Sequence, residues 1–333
     1  MNRRTAFAAA IVVVGTIAVG VLLTHRNSAS SEEVRGMPRD IAASRPAVGA
    51  GTHGVVETAR QSNAPFVARA LGDAPRLAVP VPPKDSPIKD VIAALKAEAD
   101  RGVPEAACRI GEELTRCLNA RVMLGAKRNE LAAMNKAPGG AAEHQLLALT
   151  NRYAAYDRAT ELCEGIDDQT LGSAWRYLLS AAQGGSVPAM AQFAIAPPLS
   201  RDNIVADIDG WAAYQQFAPA MLTQAIDRGD VRALFSGWFQ AASGLSAGGR
   251  SATPNPRLAI VYGTAAMGVV DSDTRNMIRA SMPRLEQQVG SDQVAAARAE
   301  GAALASKSFA QATPTNVSAK VGEAQPMACH GEK

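Results

Sequence analysis

Apolar and polar positions divide the chain into four blocks. The first is AFAAAIVVVGTIAVGVLL, Ala6 to Leu23, which carries no charge. As a helix this run is roughly 27 Å long, close to the ~30 Å hydrocarbon thickness of a bilayer. Arg3 and Arg4 precede it. The positive-inside rule keeps them cytoplasmic and sends the chain after Thr24 across the membrane. Residues 1–24 are therefore expected to be a membrane anchor or signal segment, with residues 6–23 in a bacterial inner membrane and the rest facing the periplasm. Cleavage would release the domain into the periplasm. The run exceeds the usual h-region of roughly 7–15 residues, and Ser28-Ala29-Ser30 is a weak cleavage site, which favours a retained anchor. No Cys follows the run, so a lipoprotein is excluded.

The second block, 25–85, has no sustained period and carries Pro38, Pro46, Pro65, Pro75, Pro80, Pro82 and Pro83. Such a segment buries too little apolar surface to offset its ordering entropy, which predicts a disordered linker. The third block, 86–301, is different. Ser86 suits an N-cap and Pro87 a first helical position. Ile88, Val91, Ile92, Leu95 and Ala99 then recur at helical spacing. Helical periods continue to about Gly301, and no strand alternates convincingly. Two helical stretches, 118–136 and 142–164, flank the breaker Ala137-Pro138-Gly139-Gly140. The fourth block, 302–333, is small and polar and is expected to be a disordered tail.

Composition agrees with an all-α domain. The 333 residues are 47% hydrophobic but only 5% aromatic, and Ala, the best helix former, is abundant. A formal net charge of +3, with no Lys/Arg cluster interleaved with aromatics, argues against a nucleic-acid partner.

One local pattern recurs: a helix end, a Gly, and an Ala four positions after it. It occurs at Ala99 to Ala106 around Gly102, at Ala181 to Ala189 around Gly185, and at Ala225 to Ala233 around Gly229. A fourth copy near Ala265-Ala266-Met267-Gly268 is degraded. Gly at such a point supplies the positive φ that ends one helix, and Pro or a cap starts the next. Each copy therefore predicts an αα-hairpin whose helices cross closely over Ala. Here the chain resembles the Sel1-like repeats, relatives of the tetratricopeptide repeat, with their A-A-x-x-G-x-x-x-A signature. Ala106-Ala107-Cys108-Arg109-Ile110-Gly111 resembles the helix that follows in that family. The resemblance covers residues 88–118 and 171–270. It implies stacked antiparallel helix hairpins and adaptor behaviour. The Gly residues are 83 and 44 apart, where the family keeps a period in the mid-thirties, so long insertions interrupt the stack.

Four cysteines are present: Cys108, Cys117, Cys163 and Cys329. In an exported chain disulfides persist. Cys108 and Cys117 share one helix, about 13 Å apart in rise and out of phase, so they cannot bond to each other. Folding the chain back at residue 140 places Cys117 opposite Cys163, and Cys117 shares the inward face of Ala106, Ile110 and Leu114. A Cys117–Cys163 disulfide is expected, with Cys108–Cys163 as the alternative. Cys329, beside His330, is expected to be a free or tail-bonded thiol. Cys108-x8-Cys117 is no zinc spacing, and no metal site is expected.

The sequence offers little catalytic chemistry. His25, His53, His144 and His330 fall in flanking segments or near a hairpin tip, and no dinucleotide or P-loop pattern occurs. Glu112-Glu113 is expected on a solvated face, and Asp167-Asp168 as a helix-start charge. No catalytic residue and no cofactor are assigned. The aromatics of the second half form either a helix–helix core or a groove for a peptide or glycan, with Trp175, Trp211, Tyr214 and Trp238 as candidate wall residues. The expected function is a non-enzymatic scaffold with an envelope protein as partner. The alternative is a peptidoglycan-active helical enzyme or a glycan- or peptide-binding module. An enzyme would need a carboxyl of raised pKa in a groove near Trp211 or Trp238.

Overall fold

The first helix of the body begins one residue later than Ser86-Pro87 predicts. Pro87 occupies the N-cap, and the Ile88 N–H donates to the Leu162 carbonyl at 2.9 Å, tying the helix start to the end of a later helix. The computed structural model describes residues 76–136, 143–199, 205, 207–245, 253–315, 317 and 329. These residues all fall within one unit of the chain, 63–333. The anchor segment 1–24 and the linker as far as residue 75 lie outside them.

The described residues are all-α. The helices are α1 (Ile88–Asp100), α2 (Pro104–Lys136), α3 (Glu143–Glu161), α4 (Asp168–Gly172), α5 (Ala174–Gln183), α6 (Val187–Ile195), α7 (Ile208–Asp227), α8 (Val231–Ser243), α9 (Pro256–Ala266), α10 (Ser272–Gln287) and α11 (Ser291–Ser308). Among the described residues Val270 and Thr315 form an isolated parallel bridge. None of the described helices is long and apolar enough to cross a membrane.

The three Gly turns share one hydrogen-bond pattern. In each, the Gly N–H donates to the carbonyl three residues back: Gly102 to Ala99 at 2.9 Å, Gly185 to Ala182 at 3.0 Å and Gly229 to Ile226 at 3.0 Å. The next N–H donates five residues back: Val103 to Glu98 at 3.1 Å, Ser186 to Ala181 at 3.0 Å and Asp230 to Ala225 at 2.9 Å. This pairing satisfies carbonyls that a helix end otherwise leaves open, and it requires the left-handed backbone. The φ values, 82°, 101° and 87°, lie in that region. The Ala four residues on is fully buried in every copy: Ala106, Ala189 and Ala233. In two copies its N–H is capped by the residue after Gly, through the Ser186 hydroxyl and the Asp230 carboxylate. Gly268 does not take the positive φ, in keeping with its degraded motif.

Most helix packing is between elements near one another in the chain. Helix α2 packs against α1, α3 and α5; α5 against α6; α6 against α7; α7 against α8; and α8 against α9, which also meets α10 and α11. Small residues set the close approaches. A Cβ on Gly111 of α2 would lie 2.8 Å from Leu178 Cγ of α5, and one on Gly301 of α11 would lie 2.4 Å from the Val261 carbonyl of α9. One apolar core runs from Ile88 to Val317.

Both expected disordered boundaries shift. Leu77 and Val79 pack on the core, and Pro83 accepts a hydrogen bond from Arg109, so the linker's last residues dock on the body. At the other end α11 runs to Ser308, past residue 301. Phe309 and Val317 are buried, and Thr315 exchanges backbone hydrogen bonds with Val269 and Asp271. Composition misled here because two apolar anchors suffice to hold a polar, alanine-rich strip once its backbone finds partners.

Candidate functional site

The aromatic residues sort into core and wall. Phe235 stacks on Trp238 with ring centroids 5.5 Å apart, and Tyr214 lies 6.1 Å from Phe193 and 5.9 Å, edge to face, from Trp211. Trp175, Tyr214 and Trp238 are buried, and Trp211 is half-buried. The Arg176 guanidinium lies over the Trp175 ring, 5.2 Å from its centroid. Trp175 also sits against Gly210, where a Cβ would stand 3.0 Å from its indole nitrogen. Trp175 and Trp238 therefore belong to helix–helix packing, and Trp211 packs partly buried against the core.

Tyr214 lines the wall of a pocket. That pocket, about 220 Å³, opens between α7, α8 and α9. Ala218 and Leu222 come from α7, Gly237 and Ala241 from α8, and Leu258 and Tyr262 from α9. Thr223, Gln240 and Asn255 supply polar groups, and the described wall carries no charged side chain. Asn255 is already engaged as the N-cap of α9, accepting from the Leu258 N–H at 3.0 Å. Burial, with Asp227 and Glu300 nearby, pushes the Tyr262 phenol up, so it stays a neutral hydroxyl. The space exceeds the ~150 Å³ that accommodates benzene in a dry cavity, so it can take one large uncharged side chain or ring.

The strongest electrostatics lie elsewhere, on α2. Arg109, Glu113 and Arg116 follow one another at i, i+4 and i+7 on one helix face. Arg109 Nη2 is 2.7 Å from Glu113 Oε1, and Arg116 Nη2 is 2.5 Å from Glu113 Oε2. Arg109 and Glu113 have no exposed surface. Arg109 also donates to the Pro83 carbonyl at 3.1 Å, so the docked linker shares in satisfying the guanidinium. Burial pushes the Glu113 carboxyl above the ordinary carboxylate range despite the pull of Arg116 and Arg109. Burial likewise lowers Arg109, against Glu113 and Glu112. Desolvation thus outweighs the mutual attraction for both partners.

Glu113 is therefore no solvated acid, contrary to the expectation from Glu112-Glu113. Its position on the inward stripe of Ala106, Ile110 and Cys117 was the available signal. Two arginines at helical spacing compensate its charge, which the acid pair viewed alone concealed. Glu113 is the carboxyl of raised pKa, but it belongs to this network and not to the pocket wall. Asp167 caps α4, accepting from the Thr170 N–H at 2.6 Å, which holds its carboxyl below the ordinary value.

All four cysteines are paired. Cys117 joins α2 to Cys163, just past α3, with Cα atoms 5.8 Å apart. Cys108 bonds to Cys329, with Cα atoms 5.6 Å apart, so Cys329 is held on the body. The Cys329 N–H donates to Glu112 Oε2 at 3.1 Å. This pairing spans 221 residues, a separation at which local helix geometry gives no guide. Among the described residues no group of three His, Cys, Asp or Glu could hold a metal. His144 lies on α3; His25, His53 and His330 lie outside the described residues.

No family model matches the chain, and neither a curated protein nor a solved structure shows significant similarity to it.

Proposed function

We propose that the helical body is a non-enzymatic protein–protein interaction module, an irregular stack of Sel1-like hairpins facing the periplasm and tethered to the inner membrane through residues 6–23. The observation that carries this reading is the repeated Gly turn. Three turns with one hydrogen-bond pattern, each followed by a buried Ala, pair α1 with α2, α5 with α6 and α7 with α8. Stacked helix pairs of this kind spend their core on neighbour contacts and leave extended surface for a partner. The hairpin of α2 and α3, held by Cys117 and Cys163, accounts for the long first interval between repeats. Two cysteine pairs suit an oxidising compartment.

The uncharged pocket supports a second reading, a peptide- or glycan-binding module, and fits within the first as the place where a partner's side chain docks. A hydrolytic role would need an acid reachable from that pocket, and the raised carboxyl is fully buried and is not among the pocket's lining residues.

In-cell crosslinking of the full chain, with mass-spectrometric identification of the captured proteins, tests the proposal. Enrichment of one discrete envelope protein is expected. Capture of bulk membrane protein alone, at background level, would overturn it.

A further inference from the structure

We infer that the Cys108–Cys329 disulfide is a thiol-exchange site, attacked at Cys329 by a dithiol of the envelope, whereas Cys117–Cys163 is a permanent structural bond. The inference is independent of the scaffold reading and rests on how the four sulfurs are presented.

Cys117 and Cys163 are both buried, and their bond holds the base of the α2–α3 hairpin. A nucleophile could reach either sulfur only if those helices separate. Cys108 is equally buried, but Cys329 is half-buried at the edge of the core. Cys329 is therefore the one member of the four that keeps partial exposure, and the exchange is assigned to it on that ground. The backbone at Cys329 is fixed to α2 by the bond itself and by the hydrogen bond from its N–H to Glu112. Thiol–disulfide exchange is governed by access and by which sulfur is attacked. Access selects Cys329.

The chemistry closes as follows. A thiolate of the dithiol bonds to Cys329 Sγ as the bond to Cys108 Sγ breaks. The electron pair leaves on Cys108, which takes a proton from solvent. The second thiol of the dithiol, as thiolate, then attacks its own sulfur in the mixed disulfide. Cys329 departs as thiolate and is protonated. The protein disulfide is reduced by two electrons and the dithiol is oxidised to its disulfide. Reoxidation by the reverse steps restores the bond, and with it the covalent hold of Cys329 on α2.

Reduced glutathione serves as the probe on the full chain, followed by alkylation and peptide mapping. A glutathione adduct on Cys329 with free Cys108 is expected at a concentration about tenfold below that which opens Cys117–Cys163. Helical circular dichroism should not change at that point. Simultaneous opening of both bonds, or an adduct on Cys108, would overturn the inference. The variant Cys108→Ser gives a second measure. Its Cys329 thiol should alkylate in the folded chain, and protection of that thiol would overturn the access on which the exchange depends.

Discussion

Gly229 turns the chain directly beneath Ser308: a Cβ on residue 229 would lie 2.4 Å from the Ser308 carbonyl oxygen. The contact is reinforced where the Ser308 hydroxyl donates to the Asp227 carbonyl at 2.8 Å. The end of α11 thus closes over the third Gly turn, some eighty residues away in sequence.

This contact separates two costs that usually occur together. Gly102 and Gly229 have nearly equal φ, 82° and 87°, yet a Cβ at 102 would meet nothing within 4 Å. Gly102→Ala should cost only the left-handed backbone strain, about 1–2 kcal/mol. Gly229→Ala adds a backbone clash that must push α11 away, a further cost of about 1–3 kcal/mol. Urea unfolding of the two variants measures the difference, and equal losses would show that α11 does not rest on the turn.

The network on α2 should show the asymmetry of buried ion pairs. Glu113→Leu leaves Arg109 buried without its carboxylate and should cost about 3–5 kcal/mol. Arg109→Met leaves Glu113 still paired with Arg116, 2.5 Å away, and should cost less. The double variant replaces both charges with apolar side chains of similar length and should recover most of the loss. A double-mutant cycle in chemical denaturation checks this, and additive losses would contradict it.

Asp271 gives a pH dependence of definite sign. It caps α10, accepting from the N–H groups of Asp273 and Thr274 at 3.0 and 3.1 Å and from the Thr274 hydroxyl at 2.7 Å. Burial opposes the charge, but the bonds from Thr274 and Asp273 prevail and hold the folded carboxyl below its ordinary value. The stabilisation is therefore present above the unfolded pKa and lost as pH falls through the folded one. Asp271→Asn should keep most of the cap and flatten the acid limb of the stability curve. An unchanged acid limb would show that the carboxylate contributes nothing there.

The Cys117–Cys163 bond closes a loop of 46 residues' separation. Removing it with paired serines should cost about 4 kcal/mol in the chain-entropy model, with the loss concentrated in the α2–α3 hairpin. Hydrogen exchange along α3 should rise more than along α9 or α10. Uniform exchange would contradict a local clamp.

Much of the helical layout was legible because glycine and alanine act locally. Gly102, Gly185 and Gly229 mark turns by a backbone requirement that few other residues meet, and Ala106, Ala189 and Ala233 mark the close crossings that follow. The pairing of Cys117 with Cys163 followed from the midpoint of a two-helix hairpin. What stayed hidden depends on distant contact. Cys329 finds Cys108 across most of the domain, Phe309 and Val317 anchor a segment of polar composition, and Glu113 is buried between Arg109, itself bonded to the Pro83 carbonyl, and Arg116. Trp175 and Trp238 are buried for a similar reason: in a core with so few large side chains they fill the space between alanine-rich helices.

Native mass spectrometry of the full chain, extracted from membranes in mild detergent, tests the interaction module most directly. A heteromeric species of fixed stoichiometry, containing this chain and one envelope protein, is expected. Recovery of the chain only as a free protomer or as a self-assembly, under conditions that preserve other envelope complexes, would contradict it.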